Sequence, residues 1–161
     1  MSARRHTRMY FTETVTEEPG GRAAEPPGAP IDPADLSRHE LGQLGEDIAA
    51  AHLIDIGLAV IERNYRCCEG EADIVAVDED EGAVVLVEVK TRRAAGGEGA
   101  FAEEAVDAAK RRRYRRIAAV YLMEHFPAPS IRFDVIAVTV PDHGPIEVHH
   151  VPGAFDWDAD R

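Results

Sequence analysis

The feature that most limits the fold is one stretch, Ala83-Val84-Val85-Leu86-Val87, which ends in Glu88-Val89-Lys90-Thr91. Five consecutive apolar residues mark a strand buried on both faces, and such a strand needs helices packed on its sheet. Side chains alternate along a strand, so Val84, Leu86, Glu88 and Lys90 share one face. Two core positions are thus followed on the same face by a carboxylate and an ammonium. Burying charge is costly unless the charge is paired or used. The Glu-Val-Lys step therefore reads as a site at the end of a central strand.

The neighbouring segments define the sheet. Leu58 to Arg66 and Glu71 to Val77 are strand-like, the second opened by Gly70. Ala83 to Thr91 follows the polar turn from Asp78 to Gly82, so the three strands should form an antiparallel meander. Before them, Leu41, Leu44, Ile48 and Ala51 keep helical spacing, with Asp35 or Ser37 as N-cap and Gly57 as C′ residue. This predicts a helix from Arg38 to Ile56. A second helix is expected from Ala102 to Phe126, stopped by Pro127. Ile131 to Val140 and Ile146 to Val151 complete the set. A long helix between the third and fourth strands implies a parallel crossover. The expected class is α/β, a mixed sheet flanked by helices in the order αβββαββ.

The 161 residues suit one domain with an appendage. Residues 1–34 hold five of the ten prolines and show no periodicity, so a disordered extension is expected there. The domain is expected over residues 35–155, and residues 156–161 form a polar tail. Phe155 and Trp157 are expected to anchor the C-terminus by packing. No apolar run is long enough for a membrane helix, and the N-terminal stretch lacks the apolar core of a secretory signal. The two cysteines, Cys67 and Cys68, are adjacent and cannot staple a fold, so a reducing cytoplasm is the expected location. Zinc would need four ligands at characteristic spacing, and neither Cys67-Cys68 nor His149-His150 supplies them.

Charge narrows the function. Thirty acidic against 18 basic residues give a formal net charge of −12. That excludes a simple nucleic-acid coat, whose affinity comes from neutralising phosphates. It suits an enzyme that gathers carboxylates around metal and confines its positive charge to one patch. Such a patch exists at Lys110-Arg111-Arg112-Arg113-Tyr114-Arg115-Arg116, where Lys110, Arg112 and Arg113 could follow a phosphate backbone. Only Lys90 and Lys110 are lysines; every other basic residue is arginine. Lysine is a compact charge whose pKa can fall, so at position 90 it could orient or deprotonate a water.

On the second strand Asp73 is an acid in an apolar run, and hairpin pairing brings it near Glu88. Two neighbouring carboxylates, with the Val89 carbonyl beside them, form a hard oxygen set for Mg²⁺ or Mn²⁺. In the first helix Glu46 aligns with Gly42, Ala49 and Ala50, small residues that permit close approach, so Glu46 should face the protein.

Gly45-Glu46, Asn64-Tyr65-Arg66, Gly70-Glu71-x-Asp73, Val87-Glu88-Val89-Lys90-Thr91-Arg92, Ala105-Val106-Asp107…Lys110 and Arg132-Phe133-Asp134-Val135 appear in that order. In this the chain resembles the YraN family of predicted endonucleases. That family is similar to archaeal Holliday-junction resolvases, within the PD-(D/E)XK nuclease superfamily. The resemblance covers about Leu41 to Phe155. It implies a restriction-endonuclease-like core with Glu46, Asp73, Glu88 and Lys90 as the catalytic set. It also implies DNA, branched or junction DNA in particular, as substrate. A homodimer would supply two sites for two-fold DNA. The expected function is Mg²⁺-dependent DNA phosphodiester hydrolysis; the alternative is a non-cleaving DNA-binding adaptor in repair or recombination.

Overall fold

The computed structural model describes residues 6–8, 35–94, 108–125, 130–142 and 144–157. Its elements are β1 (His6–Arg8), α1 (Arg38–Asp55), β2 (Ala59–Cys67), β3 (Gly70–Asp78), β4 (Ala83–Ala94), α2 (Ala108–Glu124), β5 (Ile131–Pro141) and β6 (Glu147–Val151).

Local chemistry sets the bounds of α1. Ser37 is its N-cap: Ser37 Oγ accepts from the Glu40 N–H at 3.3 Å, and the Glu40 carboxylate accepts from the Ser37 N–H at 2.8 Å. This reciprocal pair satisfies two donors that a helix start leaves open. At the other end Gly57 adopts φ +95°, the left-handed turn that lets the chain double back into β2. The buried stripe of α1 is Leu41, Gly45, Ile48, Ala49, Ala50, His52 and Leu53.

The strands form one mixed sheet in the order β1-β6-β5-β4-β3-β2. β2, β3 and β4 are the antiparallel meander, and β4 pairs parallel with β5 from Val84–Ile131 to Ala94–Pro141. Alternation sorts β4 into two cores. Val85 and Val87 pack with Leu41, Ile48 and Leu53 of α1, and with Ile74, Ile136 and Val138. Val84 and Leu86 pack with Tyr114, Ile117 and Tyr121 of α2, and with Val75, Phe133 and Val135. The mixed α/β fold expected from the sequence is therefore the fold observed, with a helix on each face.

Two regions add to that expectation. β1 pairs antiparallel with β6, His6 opposite His149, where the sequence showed no strand. An edge strand offers unpaired N–H and C=O groups, so a three-residue segment can add to it through backbone alone, without a hydrophobic signature. The rest of the first 34 residues lies outside the described residues, as does the expected start of the second helix, residues 102–107. At the C-terminus Phe155 stacks on Phe133 at 4.7 Å between ring centroids, and Trp157 lies 6.1 Å from the same ring. The Asp156 carbonyl accepts from the Arg115 guanidinium at 2.8 Å, so the first residues of the polar tail are fastened to α2. Among the described residues no helix is long and apolar enough to cross a membrane.

The Arg132-Phe133-Asp134 segment has a structural task. Arg132 Nε and Nη2 grip the Asp134 carboxylate at 3.0 and 3.1 Å, and Nη1 reaches Asp78 at 2.8 Å and Glu81. Asp134 also accepts from the Gly153 N–H and contacts His150 Nε2 at 3.0 Å, and His150 Nδ1 meets His52 Nε2 at 3.3 Å. Burial alone would raise the Asp134 pKa, but His150, Arg132 and Gly153 together hold it below the ordinary range. This chain ties α1, β5, β6 and the β3–β4 turn together through buried polar groups that are almost all paired.

His52 is the acid-sensitive member. Burial, then the neighbouring His150, depresses its pKa; only Asp55 opposes them. Its folded pKa lies below its unfolded value, so the unfolded chain takes up the proton first as pH falls. Stability is full above the unfolded histidine pKa of about 6.5 and is lost as pH drops through the folded value. The His52 contribution should thus lower the melting temperature between pH 7 and pH 5, and His52→Gln, which keeps a hydrogen-bonding group without titrating, should lose less stability than wild type across that window. A variant curve as steep as wild type would assign the acid sensitivity to other groups.

Candidate functional site

The site lies where the sheet forks. The last register pair between β3 and β4 is Ile74–Val87. Beyond it β3 stays with β2 down to Gly70, while β4 continues along β5. Asp73 is the first residue past the fork, and its Oδ2 accepts from the Val89 N–H at 2.7 Å. Glu88 and Lys90 follow the side-chain parity of Leu86 and so belong to the α2 face of the sheet.

Glu88 is 5% exposed. Lys90 Nζ lies 2.7 Å from its Oε1, and Lys110 Nζ donates to the same oxygen. Tyr114, fully buried one turn after Lys110 in α2, directs its hydroxyl to the Val87 carbonyl at 3.4 Å. The two carboxyls differ sharply in acidity. Asp73 is pushed up to about 6 by burial and then by the charge of Glu88, with Glu46 adding to the effect. Burial also opposes ionisation of Glu88, but hydrogen bonds from Lys110, Lys90 and Tyr114 hold it below the ordinary range. Burial lowers the Lys90 pKa, yet Glu88 more than compensates and the amine is held protonated. Lys110, the more buried lysine, goes down instead, through burial and the neighbouring Lys90 charge.

Glu46 approaches from the other face. A Cβ on Gly45 would stand 1.8 Å from Thr91 Oγ1, so glycine is what allows α1 to lie against β4 there. The next residue, Glu46, then reaches the fork. Asn64 Nδ2 donates to its Oε2 at 3.2 Å, and Arg63 Nη2 is 3.7 Å away. Asn64 has φ +53°, the only left-handed non-glycine among the described residues. Asparagine tolerates that conformation better than most residues, and such strain concentrates at functional sites. A cleft of about 350 Å³ opens between α1 and β4, lined by Arg38, Leu41, Gly42, Glu46, Val89 and Thr91.

The structure thus gathers Asp73, Glu88, Val89 and Lys90 and sets Glu46 at the rim, within reach by charge but turned toward Asn64. Among the described residues no three His, Cys, Asp or Glu side chains form a ready-made metal cage. The oxygen donors available are the two carboxylates and the carbonyl chain of β4. Of the expected phosphate-tracking residues, Lys110 belongs to the carboxylate cluster. Arg113 lays its stem over Gly70 at the β2–β3 turn, and Arg112 is exposed. Glu71 pairs with Arg66 at 3.2 Å on the surface. Tyr114 was missed in the sequence, although its i+4 spacing from Lys110 places both on one helix face.

Gly45→Ala tests the close approach. An ordinary helical Gly→Ala change stabilises by about 1 kcal/mol. Here the clash with a short, branched side chain should reverse the sign, with a loss of about 1–3 kcal/mol in urea denaturation. Gly42→Ala, with nothing within 4 Å of its Cβ, is the control and should be neutral or stabilising.

The family model described as "Uncharacterised protein family UPF0102" matches residues 45–138, from the α1 glycine through most of β5. A UPF0102 protein of Frankia casuarinae is 46% identical over 120 residues, covering 74% of this chain and 98% of the relative. One from Streptomyces griseus is 46% identical over 119 residues, 73% of this chain and 97% of the relative. One from Mycolicibacterium smegmatis is 46% identical over 119 residues, 73% and 94%. The match spans β2 through most of β5 and every residue of the carboxylate–lysine cluster, and on it the chain belongs to the uncharacterised protein family UPF0102, the YraN family whose motifs it carries.

Proposed function

We propose that the protein is a Mg²⁺-dependent endonuclease that hydrolyses DNA phosphodiester bonds at the sheet fork, with branched or junction DNA as its substrate class. The observation that carries this reading is that Asp73 and Glu88 come together beside Lys90 at the fork between two central strands, within β3 and β4 rather than at the strand end expected from the sequence. The donor chemistry fits the metal. Asp73, Glu88 and the Val89 carbonyl are hard oxygen donors, and Mg²⁺ is commonly held by one or two carboxylates plus water and substrate phosphate. The raised pKa of Asp73 supports it too, since a carboxyl pressed by Glu88 and Glu46 gains most from an added cation. Mn²⁺ satisfies the same donors.

Bound there, Mg²⁺ would polarise the scissile phosphate and acidify a water. The chain's own residues do the rest. Glu88 orients Lys90, whose protonated amine stabilises charge developing on the phosphate oxygens and positions the attacking water. Glu46, released from Asn64, would help hold the metal or a second ion. Arg112 and Arg113 meet the phosphate backbone away from the chemistry. A symmetric dimer would present two such sites to two-fold DNA. The unpaired Cys67 and Cys68 suit a reducing cytoplasm.

The test is a panel of linear, flapped and four-way DNA with Mg²⁺, Mn²⁺ or EDTA. Cleavage should need the divalent ion. Glu88→Gln should lower it by roughly 100-fold or more, matching the several kcal/mol a metal supplies, while DNA affinity persists. No metal-dependent cleavage of any structure would reject the nuclease; junction binding without cutting would support a DNA-binding adaptor. A second specific observation, that two lysines already neutralise Glu88, favours that adaptor reading.

Asp73 gives an independent check. Its folded pKa lies above its unfolded value of about 4, so the folded metal-free protein binds the extra proton and gains stability as pH falls through about 6. Asp73→Asn imitates the protonated acid. It should raise the metal-free melting temperature at pH 8, lose that advantage progressively as pH falls from about 6 to about 4, and abolish stabilisation by Mn²⁺. A variant that Mn²⁺ still stabilises as much as wild type would remove Asp73 from the metal site.

A further inference from the structure

Glu88 Oε1 holds two ammonium groups from different elements, Lys90 of β4 and Lys110 of α2. These are the only lysines of the chain. Their backbones are fixed differently from their amines. Lys90 sits in the parallel ladder opposite Ala137, two residues from Glu88 on the same strand face. Lys110 stands on α2, whose position is held one turn later by buried Tyr114 against the Val87 carbonyl. The Lys110 amine reaches Glu88 at the end of a four-carbon stem with rotatable bonds throughout, so it can leave without moving the helix.

A divalent cation on Asp73 and Glu88 would compete for the same carboxylate charge. Three cations against one buried glutamate and one aspartate repel steeply at these separations. One amine must yield: Lys90 is tied to Glu88 by two residues of the same strand, whereas Lys110 comes from a separate element, the helix that carries the arginine run. Resting on the metal-centre reading above, we propose that Lys110 is a displaceable counter-ion: it neutralises Glu88 in the metal-free protein, is expelled when the metal binds, and then pairs with a phosphate oxygen of the substrate strand. Metal and DNA binding are thereby coupled, because the cation that arrives releases the one that receives the phosphate. This also accounts for a lysine at 110 inside a run otherwise written in arginine, since a planar guanidinium would hold the carboxylate bidentately and yield less readily.

The experiment uses the full chain without DNA. Mn²⁺ is titrated by calorimetry into wild type and Lys110→Met, which keeps the length of the stem and removes its charge. Lys110→Met should bind Mn²⁺ roughly tenfold more tightly. A second measurement needs no variant. With two lysines in the chain, acetylation by an amine-reactive reagent can be read site by site by mass spectrometry. Acetylation of Lys110 should rise on Mn²⁺ saturation, while that of Lys90 should not. If wild type binds Mn²⁺ and the variant binds no tighter, or if Lys110 is equally protected with and without metal, the counter-ion role is overturned and the metal centre stands. If neither protein binds Mn²⁺, the metal centre itself fails and takes this proposal with it.

Discussion

Where β3 and β4 part, the Val89 N–H would lose its partner in the sheet, and the Asp73 carboxylate takes it at 2.7 Å. That single bond lets a five-stranded core carry a cleft. A buried amide left unpaired would cost about as much as a lost hydrogen bond, and the fork would tend to close. With Asp73 in place, β3 can follow β2 and β4 can follow β5. The acid that secures the opening is the same one that faces into it.

The two helices reach this opening from opposite sides, and each needs an exception to ordinary packing. α1 comes close because residue 45 has no side chain to meet Thr91. α2 brings a buried tyrosine whose hydroxyl finds a backbone carbonyl and whose neighbour Lys110 finds Glu88. The charge of Glu46 is felt at Asp73 across the fork although the two belong to different layers. The electrostatics of the site is thus a property of the sheet's shape, since an unbroken ladder would screen one face from the other.

Much of this was legible in the residues because its signals are local. Apolar runs marked β3 and β4, Asp35 or Ser37 and then Gly57 marked the ends of α1, and Glu88 and Lys90 stood out against the strand that carries them. Asp73 followed from hairpin pairing alone. What stayed hidden depends on distance in sequence. Nothing near Lys110 indicates that its amine lies on Glu88, 22 residues away; its place in an arginine-rich run suggested the opposite. The task of Asp134 was hidden likewise, because His150 and Gly153 reach it from the far end of the chain and His52 of α1 joins only through His150. β1 was invisible for another reason: strand addition at an edge is made by backbone, which has no pattern.

The long parallel ladder between β4 and β5 governs the order in which the chain can assemble. Everything through Lys90 of the cluster is encoded before α2, whereas the strand that covers the open side of β4 begins only at Ile131. A nascent chain can fold α1 and the meander first, but β4 is then an exposed edge carrying the most apolar segment of the protein. Parallel pairing across such a loop is slow because the loop must close before any contact rewards it. During that interval Val84 to Val87 is the segment most open to pairing with another chain. The hydrophobic run that makes a central strand in the finished molecule is, in the unfinished one, its point of greatest exposure to aggregation.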